Sequence, residues 1–285
     1  MRIGGYGLVI VSTILWGIAG GLGGFLINKG WDPLVIAFYR GLVGLIFMVI
    51  WLIIRPARGN KKTIFWSILA GIGVTGNFAF YFFSMSESSI AVAATLMYTA
   101  PIFVFLLAFI LGIERASLFK WLAIGFVMIG VVFLTEVYRV DAGVVTTVGL
   151  ITGLSAGVSY ALFIFSFKYA TKYGQPPLIL TLTFTTFIGL MMLVINQGEA
   201  IALIMSEDVL WVLLLGIIGA GLSFFLYVRG LRRTSPTVAS VIAMVEPVTA
   251  TLFGLFVMNE VLSWSQVVGM SLILVTVTVL SVKER

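Results

Sequence analysis

The chain has no cysteine and no histidine. Absent thiols exclude disulfides and thiolate metal sites. Absent imidazole removes the commonest metal ligand and the usual acid–base side chain near neutral pH. Charge is scarce as well: Asp, Glu, Lys and Arg make up 10% of 285 residues, against 61% hydrophobic. At a mean hydropathy of +1.17, no soluble domain of this length could hide its apolar surface, so the solvent is lipid. The net charge of +6 does not point to nucleic acid, because the basic residues sit in short loops between apolar runs. A G-x-x-x-x-G-K-[ST] loop is also missing, which argues against ATP as the energy source. An intramembrane enzyme would need paired acids, a Ser/Lys dyad or metal ligands at membrane depth. The inventory offers none of these, so the expectation is a non-enzyme that needs neither metal nor cofactor.

What is present is a series of long apolar runs. A helix crosses a bilayer core of about 30 Å with about 20 residues. Ten stretches qualify: 4–28, 33–54, 63–85, 90–112, 117–136, 144–170, 177–196, 208–230, 236–258 and 262–281. Turn and charge signals close them, among them Trp31-Asp32-Pro33, Arg55-Pro56, Gly174-Gln175-Pro176-Pro177 and Ser206-Glu207-Asp208. The alternating pattern of a membrane barrel is missing, so the spans are helices. The start, Met1-Arg2 and an apolar run, lacks a small-residue cleavage pattern and reads as a retained first helix. With the N-terminus in the cytoplasm, fourteen of the seventeen Lys and Arg residues, Arg2 and Arg285 included, fall inside, and only Lys29, Arg139 and the intramembrane Arg40 do not. Glu87, Glu136, Asp141, Glu199, Glu207 and Asp208 then lie outside. That bias predicts a prokaryotic-type plasma membrane protein with both termini cytoplasmic.

The runs also repeat. Gly73, Phe78, Tyr81, Ser89, Val92, Ala93, Pro101, Glu114 and Ser117 recur 146 residues later as Gly219, Phe224, Tyr227, Ser235, Val238, Ala239, Pro247, Glu260 and Ser263. Nearer the starts of the copies the offset is 144, pairing Trp16 and Gly17 with Tyr160 and Ala161, and Gly30 and Pro33 with Gly174 and Pro177. Five spans per copy is an odd number, so the second copy enters the membrane from the opposite side. The expected units are residues 1–137 and 144–285. A duplicated, inverted membrane protein commonly places a solute site between its copies, near the midplane.

The pattern resembles the drug/metabolite transporter superfamily, and within it the ten-helix EamA-type members. Trp16-Gly17, Arg40, Tyr98-Thr99-Ala100-Pro101 and Gly112-Ile113-Glu114 carry the resemblance in the first copy, Glu246-Pro247 and Asn259-Glu260 in the second. It implies an all-α integral membrane protein, two inverted five-helix repeats around a central cavity lined mainly by spans 1, 3, 4, 6, 8 and 9. It implies transport by alternating access, often export. The family handles amino acids, nucleosides, sugars, polyamines and cationic drugs, so the substrate stays open between amino acids or related metabolites and an organic cation. The partners expected are a small solute, the bilayer and a proton, with the monomer as the working unit.

Glu246 is the one acid well inside a span, where a charge costs at least ~2.5 kcal/mol on insertion scales. It is a candidate for proton coupling, for an amine counter-ion, or for a structural hydrogen bond to backbone that Pro247 frees. Arg40 is the one base inside a span, able to snorkel, to bind carbonyls at a helix end, or to serve as a charge partner for Glu246 where the helices meet at that depth. Trp16, Tyr81, Tyr98, Tyr160 and Tyr227 supply aromatic faces and phenols for a pocket. Asn77 and Ser223 lie one turn before Tyr81 and Tyr227, on the same faces, and either line the pocket or bond helix to helix. Pro101 and Pro247 are candidate hinges or static bends. Gly17, Gly21, Gly149, Gly153 and Gly157 mark close helix packing. Glu114 and Glu260 end spans 4 and 9 as caps or gate contacts.

Overall fold

The computed structural model describes residues 4–115 and 117–284; Arg2 and Arg285 of the charge count lie outside them. The described residues hold ten membrane helices: α1 Gly5–Asn28, α2 Pro33–Ile54, α3 Lys61–Ser86, α4 Ile90–Ile110, α5 Leu118–Thr135, α6 Thr147–Tyr173, α7 Pro176–Met191, α8 Val209–Leu231, α9 Pro236–Val257 and α10 Trp264–Lys283. Side-chain caps start many of them at the boundaries the sequence suggests. The Asp32 carboxylate accepts from the Leu34 and Val35 amides ahead of Pro33. Asn60 with Thr63, and Ser263 with Gln266, close capping boxes. Ile, Leu, Val and Phe side chains such as Ile53, Phe109, Ile110, Leu193 and Val275 stand exposed on the outside, as a lipid-facing surface requires.

Three departures from the sequence reading have physical causes. The seventh span is shorter than 177–196: α7 ends at Met191 after 16 residues, about 24 Å of helix at ~1.5 Å per residue. The chain then turns, and Asn196 caps a separate short helix, Gln197–Ile204, by accepting from the Gly198 and Glu199 amides. That helix is pinned to α2, where the Tyr39 hydroxyl donates to the Ala200 carbonyl at 2.8 Å. In α8, residues Ile217–Leu222 form a wide π-type turn. Within it the Gly219 carbonyl accepts from Arg40, Nε at 3.0 Å and Nη2 at 2.7 Å, a side-chain insertion of the kind that accompanies such turns. Finally, α4 and α9 are each broken near the middle, α4 into Ile90–Met97 and Ala100–Ile110, α9 into Pro236–Ala243 and Val245–Val257.

The copies interleave through equivalent pairs. α3 packs along α6 and α1 along α8, while α2 meets α7 and α5 meets α10. Between α3 and α6, the Asn77 amide donates to the Ala156 carbonyl (3.1 Å) and the Ser84 hydroxyl to that of Gly149 (2.7 Å). The α5–α10 pair is clasped at both ends. Ser263 and Ser265 hydroxyls bind the Glu136 carboxylate at one end, and Lys120 approaches Glu284 at 3.8 Å at the other. Hydrogen bonds from both serines hold the Glu136 carboxyl below the usual carboxylate range, and Lys29 with Trp31 does the same for Asp208.

Candidate functional site between the repeats

α1 meets α9 where Glu246 sits. At Gly17 a Cβ would stand 2.5 Å from the Glu246 carbonyl oxygen and 2.5 Å from the Thr249 Cβ, so the absence of a side chain there sets the contact. The corresponding helix pair in the other copy also meets at a glycine, Gly157 of α6, against the Leu96 and Met97 carbonyls at the break of α4. Each broken helix is thus held by a close-packed partner from the opposite half. Gly21, Gly149 and Gly153 make similar close approaches to Phe253, Glu87 and Leu96.

From Glu246 an unbroken row of side chains runs into the protein. The Tyr160 hydroxyl points to Glu246 Oε2 at 3.4 Å. The Tyr160 ring meets Phe163 edge-on at 4.6 Å, Phe163 meets Trp16 at 6.5 Å, and Trp16 lies over Tyr227 at 4.7 Å and Phe224 at 4.9 Å. Three polar atoms in this region, Trp16 Nε1, Tyr227 Oη and Ser223 Oγ, are buried without a protein partner. An unsatisfied buried polar group costs about 1–3 kcal/mol, so this region carries hydrogen-bonding capacity that the described protein groups leave unmet. Glu246 itself keeps part of its surface exposed although it lies midway along α9. Among the described residues it forms no ion pair.

The remaining sequence candidates fall around this row. Tyr81 is partly exposed and packs on Phe82 at 5.3 Å, and Tyr98 is buried at the break of α4. Asn77 spends its amide on the Ala156 carbonyl. Pro101 and Pro247 each lie just past a break. Arg40 faces the interior instead of a helix end; its guanidinium lies 5.5 Å from the Phe78 ring and on the Gly219 carbonyl. Next to it is a small void of about 10 Å³, lined by Val74, Phe78, Phe184, Phe187 and Phe224 among others. Such a void takes about one water.

Sequence reasoning passed over Phe163 and took Phe224 only as a repeat position, since both look like membrane filler among 23 phenylalanines. Their signal was spacing, one turn after Tyr160 and one turn before Tyr227. It read Glu114 as a cap or gate contact without identifying the helix that it caps. That carboxylate accepts from Lys120 at 2.6 Å and from the Thr237 amide at 3.1 Å, capping the start of α9.

Ten helices in two inverted copies, meeting at a half-polar, aromatic centre with one acid, define a membrane transporter. The profile of the EamA-like transporter family matches residues 3–136 and again 147–282, and the chain belongs to that family. It is 27% identical over 281 residues to an uncharacterized transporter of Archaeoglobus fulgidus, covering 96% of this chain and 95% of that one. With the uncharacterized transporter YwfM of Bacillus subtilis the identity is 24%, over 97% and 93%. Protein PecM of Dickeya dadantii is 26% identical over 83% of this chain and 79% of its own. A solved crystal structure of a protein superposes with a TM-score of 0.74 at 17% identity, over 95% and 94% of the two chains, a likeness of fold.

Proposed function

We propose that this transporter is a secondary active carrier that works by alternating access and exports amino acids or related metabolites. Residues 1–137 and 144–285 are the two moving units in this reading, and both termini lie in the cytoplasm. The observation that carries it is Glu246: an acid midway across the membrane, partly exposed and without an ion pair among the described residues, at the head of the aromatic row. Such a group can bind a primary amine or a proton in turn, which couples one flux to the other. Trp16, Tyr160, Ser223 and Tyr227 line the path of the solute, with Tyr81 and Tyr98 at its margin. Asn77 shapes the path by fixing α3 on α6, and Pro101 and Pro247 serve as the hinges. The working unit is the monomer, in a prokaryotic plasma membrane.

An organic cation is the second reading, favoured by the aromatic faces beside a lone carboxylate. Counterflow in proteoliposomes separates the two. Labelled neutral amino acids should accumulate transiently against their gradient, with quaternary amines failing to compete, and Glu246→Gln should abolish the response to an imposed pH gradient. Competition by quaternary amines alone would replace the first reading with the second. Flux that neither saturates nor shows counterflow would reject both.

A further inference from the structure

The two copies treat their terminal glutamates differently. Both end α4 and α9 in the same backbone turn: the Glu114 amide donates to the Ala108 carbonyl at 3.2 Å, and the Glu260 amide to the Gly254 carbonyl at 3.1 Å, residues related by the 146-residue offset. Beyond that turn the equivalence ends. The Glu114 side chain is 6% exposed, bonded to Lys120 and to the Thr237 amide at the second position of α9. Glu260 is exposed and folds back on its own helix, its carboxylate lying where a Cβ of Gly254 would be. The residue equivalent to Thr237 is Ala91, two places after the α4 cap Ser89 just as Thr237 follows Ser235. Glu260 leaves that amide uncapped by the inverted counterpart of the Glu114 contact.

The packing of α4 on α9 follows the same division. Their halves on the Glu114 side, Ala100–Ile110 and Pro236–Ala243, pack together, and every residue from Pro236 to Val245 is buried. Their halves on the Glu260 side, Ile90–Met97 and Val245–Val257, make no comparable contact, and Thr249–Phe253 stay partly exposed. One face is sealed where its latch is closed, and the other is loose where its latch is parked.

We propose that Glu114 and Glu260 are alternating latch residues: Glu114 on the Thr237 amide seals the termini-bearing face, and Glu260 on the Ala91 amide seals the opposite face once Glu114 lets go. The proposal rests on the alternating-access reading and assigns it two residues. Inversion supplies the second state, because swapping the conformations of the copies carries each contact onto its counterpart. Gly254 is part of the device. Its missing Cβ provides the parking place for Glu260, whereas Ala108 at the equivalent position denies one to Glu114.

The native lack of cysteine allows spin labels at chosen pairs without a background. One pair, Ile90→Cys with Val261→Cys, reports the Glu260 side; the other, Leu111→Cys with Arg233→Cys, reports the Glu114 side. Pulsed dipolar distances in lipid nanodiscs should show a long first distance and a short second one. Glu114→Gln should exchange them, lengthening the second and shortening the first, by a population shift of about tenfold, the scale of one charge-assisted hydrogen bond. Gly254→Ala, which adds one methyl and evicts Glu260, should move the populations the same way, and Glu260→Gln should move them oppositely. If the wild type exchanges the two distances but none of these variants biases the exchange, the latch is wrong and alternating access stands. If neither distance ever exchanges while the same protein still carries solute in vesicles, latch and alternating access fail together.

Discussion

Replacing Gly17 by alanine tests the contact that places Glu246. A Cβ there would lie 2.5 Å from the Glu246 carbonyl oxygen, 2.5 Å from the Thr249 Cβ and 3.0 Å from the Ala250 amide nitrogen. Two of these are backbone atoms of a packed helix, so relief requires α1 to move away from α9. Overpacking of this kind costs about 1–3 kcal/mol. Gly20→Ala is the control, one turn along the same helix, where the nearest atom would be the Ala250 Cβ at an ordinary 3.8 Å. Unfolding in a bilayer leaves helices largely formed, so the helix-propensity gain from alanine is small in both and the packing term decides. At about 2–4 °C per kcal/mol for chains of 150–250 residues, Gly17→Ala should lower the Tm by roughly 2–12 °C. Gly20→Ala should leave it within about 1–2 °C of the parent on the same scale. Thermal unfolding of the purified proteins in one detergent, followed by tryptophan fluorescence, measures the difference. Equal Tm values would mean that α1 and α9 do not meet as described, and the position of Glu246 beside α1 would fall with them.

Asn77→Ala removes the bond to the Ala156 carbonyl and should cost about 0.5–1.5 kcal/mol, seen as a lower Tm without loss of the pH response of transport; a Tm equal to that of the parent would move Asn77 back among the solute contacts. Glu136→Gln should lower the Tm at pH 7 and lose that effect in acid. The carboxyl is held below its ordinary value by Ser263 and Ser265, so its stabilisation is present above the unfolded value of about 4.3 and disappears as pH falls through the depressed folded value. A Tm difference that persists at pH 2, in a detergent that tolerates it, would contradict the assignment.

Hydropathy alone located the ten helices, because lipid leaves no alternative to an apolar span of fixed length. It overran α7 because Met192–Ile195 are as apolar as the span they follow. The turn there shows only in Asn196-Gln197-Gly198-Glu199, a helix start written in polar residues. The copy offset identified the equivalent pairs but not their fates. Asn77 and Ser223 are equivalent, yet one bonds across to α6 and the other is buried without a protein partner. Contacts between halves were the least legible. Arg40 to Gly219 spans 179 positions and Glu114 to Thr237 spans 123, and no periodicity within one helix encodes a partner on another.

The departures from symmetry matter more than the symmetry. At the 146-residue offset Glu246 corresponds to Ala100, and at the 144-residue offset Arg40 corresponds to Phe184. Each copy therefore contributes one charge that the other lacks. A strict duplication would set two carboxylates at the breaks of α4 and α9, each costing at least ~2.5 kcal/mol at that depth, on helices that must pack together at one end. Ala100, wholly buried, lets the helices approach. Phe184 lines the void beside Arg40, an apolar ring where a strict repeat would bring a second guanidinium. The repeated residues build two matching scaffolds, and the unrepeated ones leave a single acid midway along α9.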